Sequence, residues 1–316
     1  MNHVKIQAGI YNILNFFKLR ASYGLTGNNN IGNYTQYASV NLGANYIFGN
    51  KVASGSYVSN LANPTLSWEK SMQLDIGLDI GLINNRISIN YDFYLKNTYD
   101  MLYRFDIPPS SGFSSFQGNS GELKFWGHEI ALTSKNFVGE FKWTTNANIT
   151  FADNKVMSLA PNVEAIYGGG HITRVGDRIG LFWGLIQDGI YETQEEYENS
   201  PKAAQSRVGT IKFVDVNGDK VIRNQDVDGD HTVIGDPTPK FLFGLTNTFN
   251  YKNFDLNIVM SGSVGNDIAN RYYQGVINLD GCFNVLKEVK YRWRSEENPG
   301  KGIYGTTTQR TAMQRD

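Results

Sequence analysis

The stretch SMQLDIGLDIGLINNRISINYDFYLKN, Ser71 to Asn97, decides the fold. Met72, Leu74, Ile76, Leu78, Ile80 and Leu82 alternate with Gln73, Asp75, Gly77, Asp79 and Gly81. Past Asn84-Asn85, the residues Ile87, Ile89, Tyr91, Phe93 and Leu95 alternate with Arg86, Ser88, Asn90, Asp92, Tyr94 and Lys96. A period of two marks extended chain, because successive side chains leave a strand on opposite faces. Asparagine tolerates the left-handed backbone of a tight hairpin turn. Folding the segment so that Ile83 faces Arg86 sets Leu82 by Ile87, Ile80 by Ile89, Leu78 by Tyr91, Ile76 by Phe93 and Leu74 by Leu95. The other face then holds Gly81–Ser88, Asp79–Asn90, Gly77–Asp92, Asp75–Tyr94 and Gln73–Lys96. A slip of one residue would mix the two faces completely.

Working outward, a second hairpin is legible at Phe241 to Gly262. A Lys252-Asn253 turn sets Tyr251 against Phe254, Phe249 against Leu256 and Leu245 against Met260, with Asn247 opposite Ile258 as the one polar intrusion. Leu19–Thr26, Trp126–Lys135 and Phe141–Phe151 read as further strands. The connections at 84–85, 252–253 and 136–140 are short; those at 98–125, 152–239 and from 264 onward are long. Short turns alternating with long loops are the pattern of an outer-membrane barrel. We therefore expect an all-β fold, a partial antiparallel transmembrane β-barrel with long extracellular loops and roughly eight to ten strands. A large barrel has a polar lumen and gives its apolar side to lipid. Placing Arg86 or Lys96 in mid-bilayer would cost up to about 2–4 kcal/mol each, which assigns the polar face to the lumen. The alternative is a soluble two-sheet sandwich, whose strands also alternate.

Composition agrees with strands and turns. Glycine (33), tyrosine (18) and phenylalanine (18) are abundant, and proline is scarce (8). A net charge of -1 offers no basic surface for nucleic acid. The single cysteine, Cys282, excludes an internal disulfide and a cysteine metal site. No apolar run is long enough for a transmembrane helix, which does not exclude a membrane, because a transmembrane strand needs only about 9–11 residues with every second one apolar. The opening residues lack the charged start and apolar core of an export signal.

The sharpest local motif is Asp215-Val-Asn217-Gly-Asp219-Lys-Val221-Ile222-Arg-Asn-Gln-Asp226. Oxygen ligands at positions 1, 3 and 5, the carbonyl of Val221 at 7 and a carboxylate at 12 form an EF-hand-like calcium loop. Ile222 would anchor it to an apolar contact. Lys220 stands at position 6, where Gly is usual, and Asp226 has a shorter arm than the usual Glu. Asp228-Gly-Asp230 adds acid nearby. The histidines His3, His128, His171 and His231 show no metal or triad spacing, and Gly168-Gly169-Gly170 lacks the Lys-Ser/Thr of a phosphate loop. No nucleophile, base and oxyanion set is present, so no enzyme is expected. Trp68, Trp126, Trp143 and Trp183 lie at or near expected strand ends, where interface girdles place aromatics. Thr193-Gln-Glu-Glu196 reads as a capping box opening a short helix, and 284–293 as a second.

Several segments resemble one family. Leu19-Arg20-Ala-Ser-Tyr23-Gly24-Leu-Thr-Gly27-Asn28 is similar to the "LRASYGxTGN" strand of SusC/RagA-type TonB-linked outer-membrane proteins. Asn63-Pro64-Thr-Leu66-Ser-Trp68-Glu69 resembles their "NPxLxWE" segment. Asp215–Asp226 running into Ile234-Gly235-Asp-Pro237-Thr-Pro239-Lys240-Phe241 resembles "DxNGDGxI…IGxPxPKF", and Arg292-Trp293 with Glu297-Asn298-Pro299 resembles "RWxxENP". The resemblance implies part of a TonB-dependent receptor barrel in the cell outer membrane, in contact with its lipid. It implies a SusD/RagB-like surface lipoprotein as partner, the TonB complex as driver through an N-terminal part not seen here, and oligosaccharide or peptide as ligand. Residues 1–316 are expected to be one barrel domain incomplete at both ends, without signal, plug or closing strands. A soluble, calcium-dependent glycan-binding β-module is the competing function, and a surface hydrolase the third.

Overall fold

The computed structural model describes residues 13–277, 284–302 and 305; His3 and Cys282 lie outside them, as does the opening segment read for an export signal. The chain forms two compact units. One comprises Met1–Glu164, Arg174–Arg178 and Lys240–Val264, and the other Ala165–Thr173, Ile179–Pro239 and Gly265–Asp316.

The first unit is built on seven long strands: β1 (Leu14–Asn28), β2 (Glu69–Leu82), β3 (Ile87–Tyr99), β4 (Glu122–Val138), β5 (Phe141–Ser158), β6 (Phe241–Tyr251) and β7 (Phe254–Val264). They pair in chain order as one antiparallel sheet, with β1 and β7 each paired on one side only. The two hairpin registers are as expected, Leu82–Ile87 through Leu74–Leu95 and Tyr251–Phe254 through Leu245–Met260. Among the described residues the sheet holds seven strands, where eight to ten were expected. The remaining strand-like segments of this unit are short hairpins inside the connections, such as Leu102–Asp106 with Ser115–Asn119.

The 83–86 turn shows why asparagine stands there. Ile83, Asn84 and Asn85 all take left-handed φ (52°, 56° and 56°), a region costly for a β-branched residue and tolerable for Asn. The turn is held from outside: the Ile83 N–H donates to the Ile13 carbonyl at 2.7 Å, and the Asn15 side chain accepts from the Asn84 and Asn85 N–H groups. The Arg86 guanidinium then bonds the Lys135 and Asn136 carbonyls on β4 (3.0 and 2.6 Å), tying adjacent turns together.

The second unit has short strands and a core of its own. Ala165–Gly168, His171–Arg174, Leu181–Gly184 and Thr232–Gly235 form a four-stranded sheet, and Gln187–Ile190 pairs with Ile211–Phe213. Leu185, Ile211, Phe213 and Ile222 pack together as a buried cluster. Helix α1 (Gln194–Asn199) starts at the expected cap, where the Thr193 hydroxyl accepts from the Glu196 N–H. The Glu196 carboxylate reaches back to the Glu192 N–H, one residue before the cap, and pairs with Lys212 at 2.7 Å. In place of a helix over 284–293 there is a single 3-10 turn, Lys287–Tyr291.

Candidate functional site

The sheet presents two chemically distinct walls. Register carries the apolar face unbroken across all seven strands. One row runs Leu19–Leu78–Tyr91–Ile130–Ile149–Phe243–Gly262, and the next Phe17–Ile80–Ile89–Leu132–Ala147–Leu245–Met260. Among the described residues it is left open: Ile76, Ile130 and Phe243, on interior strands, are 40%, 38% and 37% exposed. None of the buried hydrophobic residues of the described chain belongs to this face. The sandwich alternative requires them to be covered, and it is excluded.

Aromatic residues bracket this face. Near the short turns Phe137, Phe141, Trp143 and Phe249 form one ring cluster, with centroids 5.6–6.3 Å apart. Near the long connections Trp126 lies opposite Asp153 on β5 and beside Leu95 on β3. With a rise of ~3.3 Å per residue and a barrel tilt near 40°, Trp143 and Asp153 differ in height by about 25 Å, the height of an outer-membrane apolar band between its girdles. Between those levels the face carries no Asp, Glu, Lys or Arg among the described strands. Trp183, by contrast, belongs to the four-stranded sheet of the second unit, not to a girdle.

The polar intrusion at Asn247 has a structural answer. Its amide oxygen accepts from the Trp143 indole N–H at 2.9 Å and from the Thr145 hydroxyl at 2.7 Å. Asn136 in turn donates to Thr145 at 2.8 Å. Apolar surroundings make an unpaired amide costly, and this small network pairs it.

The opposite wall is polar. Arg20 donates two bonds to Asp79 (3.0 and 2.9 Å) and also pairs with Asp92 at 2.9 Å. Asn90 donates to Asp79 at 2.8 Å, and Ser22 and Gln73 both donate to Asp75. Arg20 reaches Asp92 over Gly77, where a Cβ would come within 2.5 Å of its Cζ. Gly127 likewise leaves room for the Tyr94 ring, which a Cβ would meet at 2.6 Å. Sequence reading placed Asp75, Asp79 and Asp92 on this wall but did not join Arg20 to them. That link follows once β1 is registered against β2 by its own alternation.

The acidic loop lies within the second unit. Asp215 accepts from the Gly218 and Lys220 N–H groups at 2.7 and 2.8 Å, Asn217 from the Asp219 N–H at 2.9 Å, and Asp219 from the Val221 N–H at 2.8 Å. Three of the named ligands therefore share one turn. Lys220 takes φ 65°, the left-handed conformation usually given to Gly, and Ile222 is anchored in the apolar cluster as expected. Asp226 does not join them: it faces His231 Nδ1 at 3.0 Å, while Asn224 faces the other ring nitrogen. Val221 sits in a parallel bridge with Lys202. The Arg223 guanidinium bonds Asp219 and, with the Val221 N–H, holds its carboxyl below the usual aspartate range. The described residues contain no group of three or more His, Cys, Asp or Glu poised around one point. The residue that organises the loop is Asp230. Fully buried, it accepts from the Val216 N–H at 3.0 Å and the Arg223 N–H at 2.7 Å, closing the loop across its base.

Comparison with known proteins agrees with this architecture. The family model described as TonB dependent receptor-like, beta-barrel matches residues 7–272. TonB-dependent receptor P3 of Formosa agariphila is 35% identical over 271 residues, covering 82% of this chain and 26% of the relative. TonB-dependent receptor SusC of Bacteroides thetaiotaomicron is 30% identical over 309 residues, covering 93% of this chain and 29% of SusC. A solved structure of the RagAB peptide transporter superposes with a TM-score of 0.77 at 27% identity, covering 96% of this chain and 34% of that one. The chain thus spans between a quarter and about a third of the length of these relatives.

Proposed function

The chain belongs to the TonB-dependent receptor β-barrel family, and from that premise we propose that it forms a section of the wall of an outer-membrane transporter. That transporter imports oligosaccharides or peptides with a SusD/RagB-like surface lipoprotein and is driven by the TonB complex. One observation carries the reading: seven adjacent strands turn an uncharged, uncovered apolar face to one side, over a height of about 25 Å, while Arg20, Asp79, Asp92 and Asp75 line the other. Backbone groups in lipid must be paired within the protein, which strands achieve only as part of a closed barrel. The outward side chains need an apolar solvent, and acyl chains supply it. The inward ones need water, and a hydrated lumen supplies that. The likeness to the RagAB peptide transporter supports the peptide class; the oligosaccharide class is what the SusC/RagA-type resemblance implies.

Fractionation and co-purification test this. The protein carrying this segment is expected in the outer-membrane fraction, bringing down a surface lipoprotein, and its deletion should abolish growth on one oligosaccharide or peptide source. Recovery from the soluble fraction, or growth on every such source unchanged by deletion and by loss of TonB, contradicts the proposal.

We also propose that the 215–226 loop takes Ca²⁺ through Asp215, Asn217, Asp219, the Val221 carbonyl and Asp226. Hard oxygen donors suit this ion, and Arg223 and His231 would give way to it at Asp219 and Asp226. Terbium luminescence sensitised by loop-proximal aromatics, competed by Ca²⁺ and lost in Asp215→Asn/Asp219→Asn, is the expected result. Absence of any Ca²⁺ competition sinks this part alone.

A further inference from the structure

The outward face changes character immediately beyond its upper aromatic level. There Lys124 on β4 and Lys155 on β5 are direct cross-strand partners. They point to the same side as Trp126, Ile130 and Ile149, because register is continuous between these positions. Directly opposed residues have Cβ atoms about 4.5–5.5 Å apart, and like charges so placed repel. A carboxylate between them would remove the repulsion, yet among the described residues neither lysine has an ion pair. The outward acid two residues along β5, Asp153, is already taken: Arg178 clamps it with bonds of 2.7 and 2.9 Å. Asp177 is paired with Arg174 at 2.7 Å. Glu122 precedes Lys124 by two residues on the same face and makes no ion pair with it. Lys124 lies 5.9 Å from the Trp126 ring, which steadies its ammonium at the rim of the apolar band.

Height decides what faces the pair. Lys155 stands about 30 Å above the level of Trp143, using the same rise and tilt as before, just outside a hydrocarbon band of about 25 Å. Both lysines adjoin the long connections, the extracellular side in such barrels. The ligand that meets two unpaired ammonium groups there, beside a tryptophan and above acyl chains, is an anionic headgroup.

We propose that Lys124 and Lys155 form a binding site for the phosphate of an outer-leaflet lipid, with Trp126 packing against the same molecule. The inference rests on the outer-membrane reading given above. Arg178 and Arg174 act as positioning residues, holding Asp153 and Asp177 away from the lysines.

The test uses the whole protein that carries this segment, purified from outer membranes in mild detergent. Wild type, Lys124→Gln/Lys155→Gln and Lys124→Arg/Lys155→Arg are incubated with a phosphorylated lipopolysaccharide and with the same glycolipid after dephosphorylation, and retained lipid is read by native mass spectrometry. Loss of two charge-assisted contacts should lower retention of the phosphorylated lipid about tenfold or more in the glutamine variant. The arginine variant should keep it, and the dephosphorylated lipid should not be retained by any of the three. Equal retention by wild type and the glutamine variant overturns the proposal. So does equal retention of the two lipids by wild type, or displacement by inorganic phosphate at equal concentration, which would assign the pair to a free anion. If the glutamine variant fails to fold, the arginine variant and the dephosphorylated lipid decide. Recovery of the protein outside the outer membrane would instead defeat the transporter reading, so the two failures are distinct.

Discussion

Ile130, midway along β4, is 38% exposed, whereas Ile211, on a short strand of the second unit, is 7% exposed. The two isoleucines have the same chemistry and opposite surroundings. Around Ile211 the chain supplies its own apolar partners, Leu185, Phe213 and Ile222. Around Ile130 it supplies only the flanking members of its own row, Tyr91 and Ile149, and no described layer above them, although the row Leu78–Tyr91–Ile130–Ile149–Phe243 is as regular as any core. A folded water-soluble domain buries such a row. Leaving it open on seven consecutive strands means that the row is matched to an external apolar phase. The second unit makes its own apolar core, and the sheet leaves its apolar face to an external one.

The comparison can be broken at several points. The largest effect belongs to the self-made core. Phe213→Ala should cost about 3–5 kcal/mol of the second unit's stability, lost transfer energy plus a cavity. Hydrogen exchange should then show Gln187–Ile190 and Ile211–Phe213 losing protection while β2 and β3 keep theirs; parallel loss in the sheet would show that the two regions share one core. Charge gives the next effect. In bilayers Ile130→Arg should destabilise by about 2–4 kcal/mol, measured by denaturant titration. Ala131→Arg, one residue along on the polar wall, should stay within about 0.5 kcal/mol. Similar costs at the two positions would erase the distinction between the walls.

Smaller effects sharpen the loop. Lys220→Gly, at φ 65°, should raise the melting stability of the second unit by about 1 kcal/mol or less, because relief of the left-handed strain is partly offset by the freedom glycine gains on unfolding. The smallest effect is with pH. The Asp219 carboxyl is held low by Arg223 and then by the Val221 N–H. Its contribution is therefore fully present above the ordinary aspartate value of about 3.9 and fades only as pH falls through the lower folded value. The side-chain carboxyl carbon signal of Asp219 should titrate with its midpoint below that ordinary value, and a midpoint at or above it would contradict the pairing.

What could be read from the sequence, and what could not, divides along the same line. β2–β3 and β6–β7 were legible because each is a hairpin whose two faces differ along nearly its whole length, Asn247 being the exception, so register and wall assignment follow from neighbours in sequence. Asn247 was opaque because its partners, Trp143 and Thr145, are on β5, more than a hundred residues away, and its hairpin partner Ile258 explains nothing. The seven strands read one by one from their alternation are the seven the sheet holds among the described residues, whereas the short pair Leu102–Asp106 with Ser115–Asn119 lay hidden in a stretch read as a long connection, too short to show a period. Of the second unit's core only Ile222 was legible, from its place in the acidic loop, since strands of three or four residues are too short to show a period. Asp230 read as spare acid because its role, accepting from Val216 and Arg223 together, exists only once the loop has closed.

The most direct measurement is fluorescence quenching of single-tryptophan variants by lipids brominated at known acyl depths, with the protein reconstituted in bilayers. Trp143 and Trp126 should both be quenched, with maxima from bromines near the headgroup end of the chains in opposite leaflets. Trp183 and Trp293, within the second unit, should be quenched little by any of the lipids. If Trp126 and Trp143 are no more accessible to brominated chains than Trp183, the apolar wall does not face a membrane.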